Sequence, residues 1–256
     1  KLSEKFKIKI YWIITDEHDR KYNEENPNYE ILFLSDFNNA LEVLEKVKRY
    51  NEALENFRLS IELSEPNSFV YYRIAKCYIK INNKKLFIDF IKKSVREEPG
   101  NEKAWIFLIK YYLKNNNFRQ AKYLSSKALI NNHNSIKILR LNAIIHKEIG
   151  DTREAVKFYN QILDFKENLS WKIWKGLLKC LIDNKEWSEL LRTSLKAKKH
   201  YPNKAFLDFI ISGCLLKNGK INEAIYFYQS GKKTCQVPEK LIKYFPEFNE
   251  NKTLLV

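Results

Sequence analysis

One phrase recurs along the chain at a nearly constant interval, and that recurrence limits the fold more than any single motif. The stretch Asn51, Glu52, Ala53, Leu54, Glu55, Asn56, Phe57 returns as Asn222, Glu223, Ala224, Ile225, Tyr226, Phe227, Tyr228, with Arg119-Gln120-Ala121 and Arg153-Glu154-Ala155 between them. Placing the equivalent slot along the chain gives Ala53, Phe87, Ala121, Ala155, Leu190 and Ala224, at steps of 34, 34, 34, 35 and 34 residues. Self-similarity at a period of 20 to 50 residues marks an array of stacked supersecondary units, each unable to bury its apolar face alone.

Other slots hold the same register. Sixteen residues before each marker stand Phe37, Tyr71, Trp105, Leu139, Trp174 and Asp208; twelve after it stand Glu65, Pro99, His133, Glu167, Pro202 and Gln236, with Pro66 one residue late in the first unit. Proline there ends a helix. Within a unit the apolar residues recur at helical spacing, as in Trp105, Leu108, Ile109 and Tyr112, then a polar turn at Asn115 to Asn117, then Ala121, Leu124 and Ala128. Each unit therefore reads as a helix, a turn and a second helix.

These residues resemble the tetratricopeptide repeat family, whose unit carries an aromatic early in its first helix, a small residue early in its second and proline at its end. The resemblance implies an all-α, right-handed α-solenoid of six helix-turn-helix repeats over residues 34–236, preceded by an extension at 1–33 outside the register and followed by a C-terminal cap at 237–256. Leu241, Ile242, Tyr244 and Phe245 supply an apolar face for that capping helix, whereas Ile8 to Ile14 reads equally as a strand or a packed helix. Phe87 and Leu190 depart from the small residue at the close approach of the two helices, and Asp208 departs from the early aromatic.

Composition excludes several classes. Hydrophobic residues make up 45% of the chain and aromatics 14%, enough for a core, and no run approaches the ~20 apolar residues of a membrane span. The net charge of +15 invites a nucleic-acid reading, but 37 Lys stand against 9 Arg, and base and phosphate readout leans on Arg. Charge is also polarised: residues 1–66 carry 10 basic and 14 acidic side chains, and residues 67–133 carry 14 and 4. Cys77, Cys180, Cys214 and Cys235 have no paired metal-ligand spacing, and His18, His133, His146 and His200 form no ligand cluster, so no metal, cofactor or catalytic site is expected. The chain opens on Lys1 and contains no Met, which points to a native start further upstream and leaves two compartments open: the cytoplasm, or the soluble part of a cell-envelope protein whose anchor or signal is absent.

The resemblance also implies that the first helix of each unit lines a concave face. Its outward positions are Asn38 and Glu42, then Tyr72 and Lys76, then Lys103, Ile106 and Lys110, then Lys137, Arg140 and Ile144, then Lys172, Lys175 and Lys179, and last Phe206, Phe209 and Gly213. That is a basic groove with aromatic anchors near its end, suited to a protein or peptide partner carrying acidic and apolar residues. Two competing readings stand beside it: lysine on solvated helix faces, and a C-terminal segment in which Phe245 or Phe248 folds back over Phe206 and Phe209. Glu42 occupies a position where a carboxylate clamp for chaperone tails needs Asn, which disfavours that ligand. The expected function is a non-enzymatic scaffold for protein–protein interaction; the alternative is RNA binding through the basic repeats, and homodimerisation through a terminal repeat remains open.

Overall fold

The computed structural model describes residues 49–63, 67–165 and 169–250. The extension at 1–33, Ile8 to Ile14, Asn38 and Glu42 all lie outside the described residues. Among those described there is no strand, and no helix is long and apolar enough to cross a membrane. The chain divides into two compact units, residues 1–108 and 109–256.

In the first unit lie α1 (Tyr50–Leu63), α2 (Ser68–Lys80), α3 (Lys84–Glu97) and the start of α4 (Glu102–Lys114). Ala53 and Phe57 on α1 pack with Val70, Ile74 and Cys77 on α2, all buried. Burying a side chain of Phe57's size contributes about 2–3 kcal/mol. Helix starts are set by short polar side chains: Asn67 Oδ1 accepts from Val70 N–H at 3.0 Å, Asn83 Oδ1 from Leu86 N–H at 3.2 Å, and Asn101 Oδ1 from Ala104 N–H at 3.1 Å. Two of these caps are also tied together. Ser94 Oγ donates to the Ser68 carbonyl at 2.7 Å and Asn101 Nδ2 donates to Ser68 Oγ at 2.7 Å, so the starts of α2 and α4 are joined through the end of α3. Phe87, a large residue at the small-residue slot, is fully buried and meets Phe107 edge-on at 5.3 Å, so the helix pair closes around it.

The second unit holds the rest of α4 and then α5 (Phe118–Asn131), α6 (Ile136–Glu148), α7 (Thr152–Phe165), α8 (Trp171–Asp183), α9 (Trp187–His200), α10 (Ala205–Lys217), α11 (Ile221–Lys232), α12 (Glu239–Ile242) and α13 (Glu247–Glu250). One continuous core runs through Ala155, Tyr159 and Ile162 on α7, Trp174, Leu177 and Leu181 on α8, Leu190 and Ala197 on α9, and Leu207, Phe209 and Cys214 on α10. Leu190, the other departure from a small residue, is fully enclosed in it. Asp208, the departure from an aromatic, is buried and accepts from Lys198 Nζ at 2.7 Å, so a buried ion pair stands in place of a ring. Cys77, Cys180 and Cys214 are buried free thiols; burial pushes Cys180 up to about 11 and Cys214 up to about 12, which leaves both thiols protonated and unreactive at neutral pH.

The turn between the two helices of a pair repeats at the level of single atoms. Asn82, Asn116, Gly150, Lys185 and Gly219 have positive φ of 62, 55, 86, 59 and 74°, at steps of 34, 34, 35 and 34 residues. In each turn the next residue donates its N–H five positions back: Asn83 to Tyr78, Asn117 to Tyr112, Asp151 to His146, Glu186 to Leu181 and Lys220 to Leu215, at 2.8–3.0 Å. These are Schellman closures, which satisfy the last carbonyls of one helix with a left-handed residue and start the next helix at once.

Candidate functional site

The candidate residues occupy three slots on the first helix of each pair, and burial separates them. Lys103, Lys110, Lys137, Lys172, Lys175 and Lys179 are exposed; Tyr72, Lys76, Ile106, Arg140, Ile144 and Phe206 are half-buried; Phe209 and Gly213 are buried. Slot alone does not set burial, since Arg140, Lys175 and Phe209 share one slot and are half-buried, exposed and buried in turn.

In the first unit Tyr72 meets Phe107 edge-on at 5.9 Å and carries the Lys76 ammonium 5.9 Å from its ring centre. That cation–π contact holds Lys76 over the Tyr72 ring.

In the second unit α6 and α8 are in contact; α6 carries Lys137 and Arg140, and α8 carries Lys172, Lys175 and Lys179 at the matching slots one repeat on. Arg140 sits close enough to the buried Tyr159 to oppose the rise in that phenol's pKa, which burial drives to about 12. Gly176 leaves room for the Tyr159 ring against α8: a Cβ there would stand 2.3 Å from Tyr159 Oη. Burial and then the neighbouring charges of Lys175, Lys147 and Lys240 hold Lys179 below the ordinary lysine range, with Asp183 opposing. Lys147 and Lys240 therefore belong to the same basic cluster, although the sequence reading did not name them. Lys147 lies seven residues beyond Arg140, on the same helix face, so the register contains the signal for it; Lys240 lies outside the 34-residue register.

The third group is different. Phe209, expected as an anchor facing a partner, is fully buried, with its ring 6.0 Å from Tyr228 and 6.5 Å from Phe248. Gly213 is roofed by Phe245, whose ring atoms would stand 2.4 Å from a Cβ at that position. The C-terminal segment thus covers these two positions, the competing reading for this part of the face. It is fastened by Lys217 Nζ donating to Glu247 Oε1 at 2.8 Å, Tyr244 Oη donating to Asp183 Oδ1 at 2.9 Å, and Phe245 against Trp187 at 5.4 Å. Phe206 escapes full cover and packs edge-on to Trp171 at 6.3 Å, while Lys204 Nζ lies 5.9 Å from the Trp171 ring centre. Among the described residues no group of His, Cys, Asp and Glu is arranged to hold a metal ion.

Comparison with known proteins agrees with the fold. The family model of the tetratricopeptide repeat matches residues 70–101, the α2–α3 pair. A comparison with curated protein sequences returns no match. Solved structures do match: YrrB, a tetratricopeptide-repeat protein with an unusual peptide-binding site, has a TM-score of 0.56 at 14% identity, over 78% of this chain and 95% of that one. The pilF protein of Pseudomonas aeruginosa has a TM-score of 0.57 at 10% identity, over 84% and 95%. The C-terminal part of a repeat-containing protein from Cytophaga hutchinsonii has a TM-score of 0.57 at 17% identity, over 85% and 83%. With one repeat matched by sequence and the same paired helices and turns carried through α11, the chain takes the all-helical tetratricopeptide-repeat fold.

Proposed function

We propose that the protein is a non-enzymatic scaffold that binds, and in doing so stabilises, a protein partner through the basic face that the first helices α6 and α8 carry in the second unit. Tetratricopeptide folds generally serve protein–protein interaction, and YrrB, similar in fold, is described by its peptide-binding site. The observation that carries the reading is the row of exposed lysines Lys137, Lys172, Lys175 and Lys179 on the neighbouring helices α6 and α8, with half-buried Arg140 among them. Lysines held at matching slots on adjacent helices attract an extended acidic segment and speed its capture. Half-buried apolar side chains beside the charges, Tyr72 and Ile106 in the first unit and Ile144 and Phe206 in the second, supply surface for apolar anchors.

Retention of proteins from native cell extract at physiological salt tests this, with and without nuclease, on the wild type and on a Lys137→Glu, Lys172→Glu, Lys175→Glu triple variant. The scaffold reading requires one protein that survives nuclease and is lost in the triple variant. Recovery of nuclease-sensitive material alone, with a steep salt dependence, replaces it with RNA binding.

A further inference from the structure

We propose that Lys147, Lys175, Lys179 and Lys240 form a seat for a compact multivalent anion of the phosphate type, and that filling this seat fastens the C-terminal segment onto α6 and α8. Lys175 and Lys179 stand one turn apart on α8, and Asp183 stands one turn further on. Asp183 accepts the Tyr244 hydroxyl at 2.9 Å. Lys240 precedes Tyr244 by four residues, so the contact that seats Tyr244 beside Asp183 carries Lys240 to the side of Lys179. Lys147 enters from the end of α6, which runs beside α8. Three separate elements thus bring lysines to the surroundings of Lys179, which feels the charges of Lys175, Lys147 and Lys240.

Among the described residues their charges are not balanced by an ion pair: no carboxylate forms a salt bridge with any of the four lysines. Asp183, the acid that opposes them, is already bonded to Tyr244. Partial desolvation, and then the three neighbouring lysines, lower the pKa of Lys179, so added positive charge around it is unfavourable and an anion there is favoured. A single carboxylate brings one negative charge, whereas a phosphoryl group brings two and three oxygens that separate lysines can reach as point charges. Because Lys240 rides on the C-terminal segment and the other three lysines on the helices, an anion bound to all four is coupled to the docking of that segment, and the coupling is reciprocal.

The inference shares Lys175 and Lys179 with the scaffold reading and deepens it, but its ligand is a small anion and its seat includes Lys240, which that reading does not use. The test is hydrogen exchange across residues 239–248 of the full chain, titrated with sodium tripolyphosphate against sodium chloride at matched ionic strength. At ten times its Kd the tripolyphosphate is expected to slow exchange there by up to about tenfold. Lys240→Ala leaves Tyr244 and Phe245 in place and is expected to lose that slowing and to bind about fivefold more weakly, while Lys243→Ala behaves as the wild type. Equal effects of tripolyphosphate and chloride, or a Lys240→Ala protein that binds and is protected like the wild type, overturn the proposal. A doubly phosphorylated serine peptide that protects the segment at lower concentration than tripolyphosphate identifies a phosphorylated protein segment as the source; the reverse order identifies a free polyphosphate. No captured partner with the anion effect intact defeats the scaffold reading alone, and a captured partner with no anion effect defeats this one alone.

Discussion

The outward faces of α8 and α10 occupy the same slots one repeat apart and end in opposite states. On α8 the slots hold Lys172, Lys175 and Lys179, all exposed; on α10 they hold Phe206, Phe209 and Gly213, of which only the first reaches solvent. The register decides where a side chain points, and the residue type then decides whether water or the C-terminal segment covers it. Lysine keeps its face open because removing an ammonium from water is costly. Phenylalanine beside a glycine makes a flat apolar recess, and Phe245 and Phe248 fill it. Consistent with this, α10 is buried around most of its circumference, as a helix that is apolar on all sides must be.

The contrast breaks most visibly by truncating equivalent positions. Phe209→Ala is expected to cost about 3–5 kcal/mol in urea unfolding, whereas Lys175→Ala at the same slot changes stability by no more than about 0.5 kcal/mol. Similar losses at both positions would mean that the two faces do not differ as described. The turns that follow the two helices offer a smaller and independent comparison, since both need a left-handed residue but use Lys185 after α8 and Gly219 after α10. Lys185→Gly is expected to raise stability by about 1 kcal/mol, and Gly219→Ala to lower it by a similar amount, both read from thermal or urea midpoints. If Lys185→Gly destabilises, the turn after α8 is not closed by its backbone conformation.

The smallest effect concerns charge on the open face. Lys179 has a lowered pKa in the folded chain, so the unfolded chain binds the extra proton and stability rises with pH between that lowered value and the ordinary lysine value of about 10.4. A Lys179→Met variant is expected to lose this rise, and Lys240→Ala to reduce it, in melting temperatures compared between pH 8 and pH 10. An unchanged profile in Lys179→Met would place the group outside the repulsive cluster.

The fold was legible because it rests on a period. Markers at Phe87, Ala121, Ala155, Leu190 and Ala224 each lie five residues after a left-handed turn residue and are the fourth residue of a helix, so turns and helix starts recur at the same interval. Departures at Phe87, Leu190 and Asp208 were also visible, but how each is absorbed was not. Phe87 closes against Phe107, Leu190 enters a continuous core, and Asp208 pairs with Lys198 ten residues earlier. Each solution depends on a neighbour outside the repeating pattern, and a periodic reading has no term for it.

The candidate face was legible to the same degree. Helical spacing alone placed Lys172, Lys175 and Lys179 outward on one helix, because 3.6 residues per turn leaves no other arrangement once the apolar side is known. What covers a face is a different question, since burial is decided by segments distant in sequence. Tertiary structure therefore decided that Phe209 is core and that Tyr244, from beyond the repeats, bonds to Asp183 at the end of α8. Local periodicity determines direction, while the coming together of residues far apart in the chain determines solvent exposure and charge balance.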